Sequence, residues 1–158
     1  MEGRILAARQ DGAYVIRLEG DVRVTLCTTI DDYFRHMYED TRFASVWVDV
    51  CHAEGIDSTT LGLLAKLALT VREKFGFRPA IYSCDPGITR LLKSMGFQHL
   101  FELREEPCAT PGCAAVPVVE GSEEEVRQQV IEAHRALMGI SDENRARFRD
   151  LISALERG

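Results

Sequence analysis

The alternation of apolar and polar positions at the start of the chain predicts two short strands. RILAAR and AYVIRLEG flank Gln10-Asp11-Gly12, and an Asp-Gly pair between such runs is a strong hairpin signal. TTIDDYFRHMYED then puts Ile30, Phe34 and Met37 on one helical face, with Thr28 or Thr29 placed to cap it. SVWVDV is short, β-branched and nearly all apolar, the composition of a strand buried on both faces. From about Thr59 to Phe75, Leu61, Leu64, Leu67, Ala68 and Val71 recur at helical spacing, and Gly76 is a natural stop. RPAIYSC predicts a strand and DPGITRLLKSMG a helix capped by Asp85, with Pro86 in its first turn and Gly96 at its end. FQHLFEL predicts a final short strand. The order β-β-α-β-α-β-α-β implies an α/β fold: a mixed sheet with an antiparallel opening pair, right-handed crossovers and a cover of helices.

Past residue 103 the pattern changes. REEPCATPGCAAVPVVEGS carries three prolines and two glycines and reads as a linker over 104–121. SEEEVRQQVIEAHRALMG opens on a capping box, Ser122 with Glu125, and repeats Val126, Val130, Ala133 and Leu137 on one face. Ser141 or Asp142 caps a second helix striped by Phe148, Leu151, Ile152 and Leu155. The chain thus divides into a domain over 1–103, a linker over 104–121 and a helical extension over 122–158. Two short amphipathic helices do not hide their stripes alone in water. They are expected to meet each other, the first domain, a second copy of the chain in a homodimer, or a further regulator.

Composition narrows the function classes. With 158 residues, 46% hydrophobic and 28% charged, the chain suffices for one compact domain with room for an appendage. A formal net charge of -6 argues against nucleic acid or an anionic membrane as partner. MEGRILAARQDGAYV lacks the basic start and apolar run of a leader, and no stretch approaches the roughly 18 to 20 apolar residues of a membrane span, so a cytoplasmic protein is expected. The five cysteines (Cys27, Cys51, Cys84, Cys108, Cys113) are odd in number and irregularly spaced, unlike a secreted disulfide framework, and most are expected as thiols. Cys108 and Cys113 are close enough to share a metal or a disulfide, but no second Cys/His pair follows at finger-like spacing. Small apolar packing is therefore the expectation, with no metal. No Gly-rich phosphate loop occurs, so no nucleotide or other cofactor is expected.

The candidate site is GIDSTTLGLLAKLA, residues 55–68, where a loop after a buried strand turns into a helix. The first N-H groups of a helix lack partners, and Ser58 or Thr59 is placed to cap them.

This segment resembles the signature of STAS domains, in particular bacterial anti-sigma factor antagonists, in which an Asp-Ser pair and a short hydroxyl-Gly-Leu-Gly-type run open the helix. YVIRLEGDV is similar to the family's second strand, SVWVDV to the strand before the signature, and AIYSCDPGITRLLKSMGF to the later strand, loop and helix. The resemblance spans about Arg4 to Leu103. It implies that the Ser after the Asp, here Ser58, is phosphorylated by a partner that is both anti-sigma factor and serine kinase, and that a serine phosphatase reverses the mark. It also implies a docking surface that includes Gly20, Asp21, Asp57, Ser58, Thr59, Thr60 and Leu61. Two positions depart from the family pattern: Thr60 stands where many members have Gly, and Arg23 where a second acid is common. Thr59 and Thr60 are further candidate acceptors. Arg23 is placed either to stabilise a phosphate on Ser58 or to pair with Asp21.

The same sequence is compatible with two other function classes. A STAS scaffold or ligand-sensing module that is never phosphorylated fits the same residues. An enzyme would use Cys84, a thiol just before a helix, or Ser58 with His52 and Asp57. The chain lacks the Gly-x-Ser-x-Gly elbow of a serine nucleophile, and no enzyme is expected. His36, His52, His99 and His134 read as ordinary polar or half-buried side chains.

Overall fold

The computed structural model describes residues 1–109 and 112–158. Thr110 and Pro111, inside the expected linker and between its two cysteines, lie outside the described residues. β1 (Arg4–Gln10) and β2 (Ala13–Val22) form the antiparallel hairpin, closed by Asp11 at φ 51° and Gly12 at φ 84°. Two successive positive φ values make the turn that matches strand twist, which is why Asp-Gly sits there. β3 (Ser45–Ile56), β4 (Ala80–Tyr82) and β5 (Glu102–Arg104) continue the sheet in parallel from β2, in the order β5-β4-β3-β2-β1-β6. The last strand, β6 (Ala114–Ala115), lies antiparallel on the outer edge of β1.

Along β2 the side chains alternate. Tyr14, Ile16, Leu18 and Val22 enter the core, while Val15, Arg17 and Glu19 face the opposite side. The core side is covered by α1 (Cys27–Glu39), α2 (Ser58–Phe75) and α3 (Pro86–Ser94), each inserted between parallel strands as a crossover requires. α2 supplies the centre of the core with Leu61, Leu63, Leu64, Leu67, Ala68 and Val71. On the opposite side, the Arg17 Nε donates to buried Asp49 at 3.1 Å, and Trp47, Tyr82 and Cys108 help line an open groove of about 750 Å³.

α4 (Glu123–Met138) and α5 (Asp142–Arg157) form a hairpin: α4 lies against α2 and α1, and Ala133, Leu137 and Phe148 share one core with the sheet and its covering helices. Ser122 and Glu125 make the reciprocal capping box, and Ser141 caps α5. Asn144, fully buried in the first turn of α5, donates to the carbonyls of Met95 and Leu137, both at 2.9 Å, and so ties the hairpin to the end of α3. The proline-containing stretch before α4 is docked as well: β6 pairs with β1, and the Val119 N-H donates to Thr29 Oγ1 at 2.9 Å.

Four local expectations are corrected. The first helix has no side-chain cap; Thr28 and Thr29 lie buried within its first turn and bond instead to Gln129 and Val119. FQHLFEL is a 3-10 turn over Phe97–His99 followed by a strand only at Glu102–Arg104, because Gly96 at φ 86° reverses the chain and Phe97 and Phe101 stack beneath it. Three of the five cysteines, Cys27, Cys108 and Cys113, are thiols as expected for most of them, but Cys84, read as a thiol before a helix, is joined to Cys51 in a disulfide with a Cα–Cα distance of 4.7 Å. The parallel register explains this pair: Asp49 sits opposite Tyr82, so two residues onward the cysteines face each other at about the strand spacing of 4.7–4.9 Å. The fourth correction concerns the cap of α2 and belongs to the site.

Candidate functional site

α2 begins where β3 ends, at the carboxyl edge of the parallel strands, and its first turn is organised by a carboxylate. Asp57 is the N-cap: Oδ1 accepts from the Thr60 N-H at 2.9 Å and Oδ2 from the Val24 N-H at 2.7 Å. One side chain thereby satisfies an orphan donor of the helix and fixes the loop after β2 beside it. Neither Ser58 nor Thr59 serves as the cap. An acid one residue earlier fills that role with a full charge against the positive end of the helix dipole.

Ser58 is the first residue of α2 and is half-buried. Its hydroxyl lies 2.8 Å from Nε2 of His134, on α4. The other ring nitrogen, Nδ1, lies 2.8 Å from the Val130 carbonyl oxygen, which only accepts. Nδ1 therefore carries a proton, and in the neutral imidazole Nε2 presents its lone pair and the Ser58 O-H donates. His134 is itself 1% exposed and meets Phe148 in a T-shaped contact at a centroid distance of 5.1 Å. The sequence reads His134 as an ordinary polar or half-buried side chain; instead it is fully buried against Ser58. The only signal was its position inside the apolar stripe of α4, next to Ala133 and four residues after Val130.

Four and eight residues beyond Ser58 come Gly62 and Lys66, on the same face of α2. A Cβ on Gly62 would collide with the Ala133 carbonyl and side chain, so glycine here lets the two helix backbones approach closely. Lys66 Nζ sits between Asp31 at 3.6 Å and Glu132 at 3.9 Å. At the head of α1, Gln129 Oε1 accepts from Thr28 Oγ1 at 2.8 Å. Ser58, Gly62 and Lys66 thus form a polar and small stripe, covered along its length by α4.

The other residues of the expected docking surface divide by exposure. Gly20 is buried at φ 75°, with Glu2 backbone against it. Thr59, Thr60 and Leu61 are buried, and the Thr60 hydroxyl has no hydrogen-bond partner. Asp21, Asp57 and Ser58 keep solvent contact. Arg23, 65% exposed, donates to Asp21 at 2.7 Å, and this bond with the nearby Asp57 charge holds its guanidinium pKa above the ordinary value.

The nucleophile arrangements considered above are not assembled. Cys84 is bonded to Cys51, so it offers no thiolate. His52 is exposed on β3, and the imidazole beside Ser58 is that of His134. Among the described residues no three His, Cys, Asp or Glu side chains form a group that could hold a metal, and no helix is long and apolar enough to cross a membrane.

A model of the STAS domain family matches residues 4–107. No curated protein matches the sequence. Among solved structures, an anti-sigma factor antagonist from Mycobacterium paratuberculosis is similar in fold, with a TM-score of 0.57 and 18% sequence identity, over 66% of this chain and 87% of that one.

Proposed function

The chain belongs to the STAS domain family, and on that premise we propose that it is a partner-switching regulator that captures an anti-sigma factor while Ser58 is unmodified and releases it when Ser58 is phosphorylated. In this reading the anti-sigma factor is also the serine kinase, a serine phosphatase restores the free hydroxyl, and the protein works in the cytoplasm as a binding module without catalysis of its own. One observation carries the reading: Asp57 caps α2, so the Ser58 hydroxyl is not needed to hold the helix together. A phosphate on it leaves the cap in place and gains from the oriented N-H groups of the first turn. A partner docked over Asp21, Asp57 and Ser58 is affected differently. Between about -1.5 and -2 charges arriving beside Asp57 bring repulsion and a desolvation cost. A loss of about 3 kcal/mol would weaken binding more than a hundredfold.

The test is incubation with the kinase-bearing anti-sigma factor, with the modified residue mapped by mass spectrometry and affinity measured for wild type, Ser58→Ala and Ser58→Asp. The expected result is phosphate on Ser58, binding retained by the alanine variant and lost by the aspartate variant. Phosphate on Thr59 or Thr60 instead, or equal affinity of all three chains, would overturn the assignment. A second reading, a STAS scaffold or ligand-sensing module that is never phosphorylated, is favoured by one feature: the Ser58 hydroxyl already has a partner in His134. Absence of any phosphate after incubation would favour it.

A further inference from the structure

Resting on the reading of Ser58 as the switch, we propose that the α4–α5 hairpin is an intramolecular occupant of the switch face, a helix that any partner must displace and that a charge on Ser58 expels. The face it covers is the Ser58–Gly62–Lys66 stripe of α2 together with Thr28 at the head of α1. Each position is matched by α4: His134 accepts from Ser58, the Ala133 backbone fills the space that Gly62 leaves, Glu132 pairs with Lys66, and Gln129 accepts from Thr28. A helix with a small residue flanked by hydrogen-bond acceptors is therefore what this face binds, and a competing partner is expected to present the same.

The hydrogen-bond directions set the response to charge. Nε2 of His134 faces Ser58 with a lone pair because Nδ1 is committed to the Val130 carbonyl. Against the neutral imidazole, phosphorylation replaces the one donor at this contact with acceptor oxygens facing the Nε2 lone pair, next to the Asp57 carboxylate and with Glu132 on the covering helix. The positive side chains nearby are engaged: Lys66 lies between Asp31 and Glu132, and Arg23 is bonded to Asp21. Close contact at Gly62 leaves no slack for the added volume while α4 stays seated. The stripe itself is polar or small, so water can solvate α2 at Ser58 and Lys66 once the hairpin lifts, while the burial of Ala133, Leu137 and Phe148 in the core opposes the lifting.

Hydrogen exchange on the full chain tests this without any partner. Three chains are compared: wild type, a chain synthesised with phosphoserine at position 58, and Gly62→Ala, which pushes α4 outward by volume alone. Amides of residues 123–138 should exchange at least about tenfold faster in both altered chains, while those of 45–50 in β3 stay protected as in the wild type. Unchanged protection of α4 in the phosphoserine chain would overturn the proposal. So would parallel loss of protection in α4 and β3 of Gly62→Ala, since the hairpin would then be inseparable from the core. If the hairpin stays closed, the function proposed above still stands. If it opens but partner affinity is indifferent to Ser58, that function fails and the cover remains.

Discussion

The two faces of α2 are held by different physics. Toward the sheet, Leu61, Leu64, Leu67, Ala68 and Val71 sit in a continuous apolar core, where attraction is proportional to buried area and indifferent to direction. Toward α4, apolar packing of Ala133 and Leu137 is joined by directional contacts at Ser58, Gly62 and Lys66: one hydrogen bond, one backbone approach and one ion-pair cluster. A single added charge changes little on the first face and reverses the sign of a contact on the second. One helix can therefore anchor a fold on one side and report a modification on the other.

The largest expected effect breaks the comparison from the core side. Leu64→Ala, at a site with no exposed surface, should lower stability to denaturant by about 2–5 kcal/mol in one cooperative transition that includes both helical layers. A separate, earlier transition for the hairpin would show that the two faces are not even thermally coupled.

A smaller effect comes from the far anchor of the hairpin. Asn144→Ala leaves the Met95 and Leu137 carbonyls without their donor, at a cost of about 1–3 kcal/mol. Its exchange signature should be faster amides across 123–157 with β3 unaffected. Equal acceleration in both would place α5 inside the core rather than on the cover.

Acid supplies the mildest perturbation. The Ser122 backbone N-H donates to Glu125 and holds its carboxyl below the usual carboxylate value in the folded protein. Because the folded value is the lower one, this contribution is complete above the unfolded value near about 4.3 and is lost as pH falls through the folded value. Helicity of the α4 start should decline in that window, and Glu125→Gln should flatten the dependence. A decline beginning near neutral pH would point to a different group.

Much of the architecture was legible because it depends on neighbours in sequence. Asp85 with Ile88, Ser122 with Glu125, and the Asp11-Gly12 turn are contacts of two to four residues, and each lies where the pattern placed it. The same local reasoning misjudged the head of α2, where Ser58 and Asp57 both suit a cap. The choice went to Asp57 because its second oxygen reaches Val24, 33 residues earlier. Thr28 failed as a cap for a related reason: its hydroxyl is spent on Gln129, 101 residues later.

What the sequence determined by itself was most of the elements, the mixed α/β order, the family and the hydroxyl-bearing corner at Ser58, which follow from periodicity, caps and a contiguous motif, whereas β6 within the expected linker did not. What only the tertiary structure decided was who stands over that corner. The Ser58–His134 bond joins residues 76 apart, Gly62 matters only because Ala133 arrives beside it, and Cys51 meets Cys84 only through strand register. Local backbone preferences act over a turn or two, whereas these contacts arise when separate elements are packed together. Their geometry is written in no single stretch of the chain.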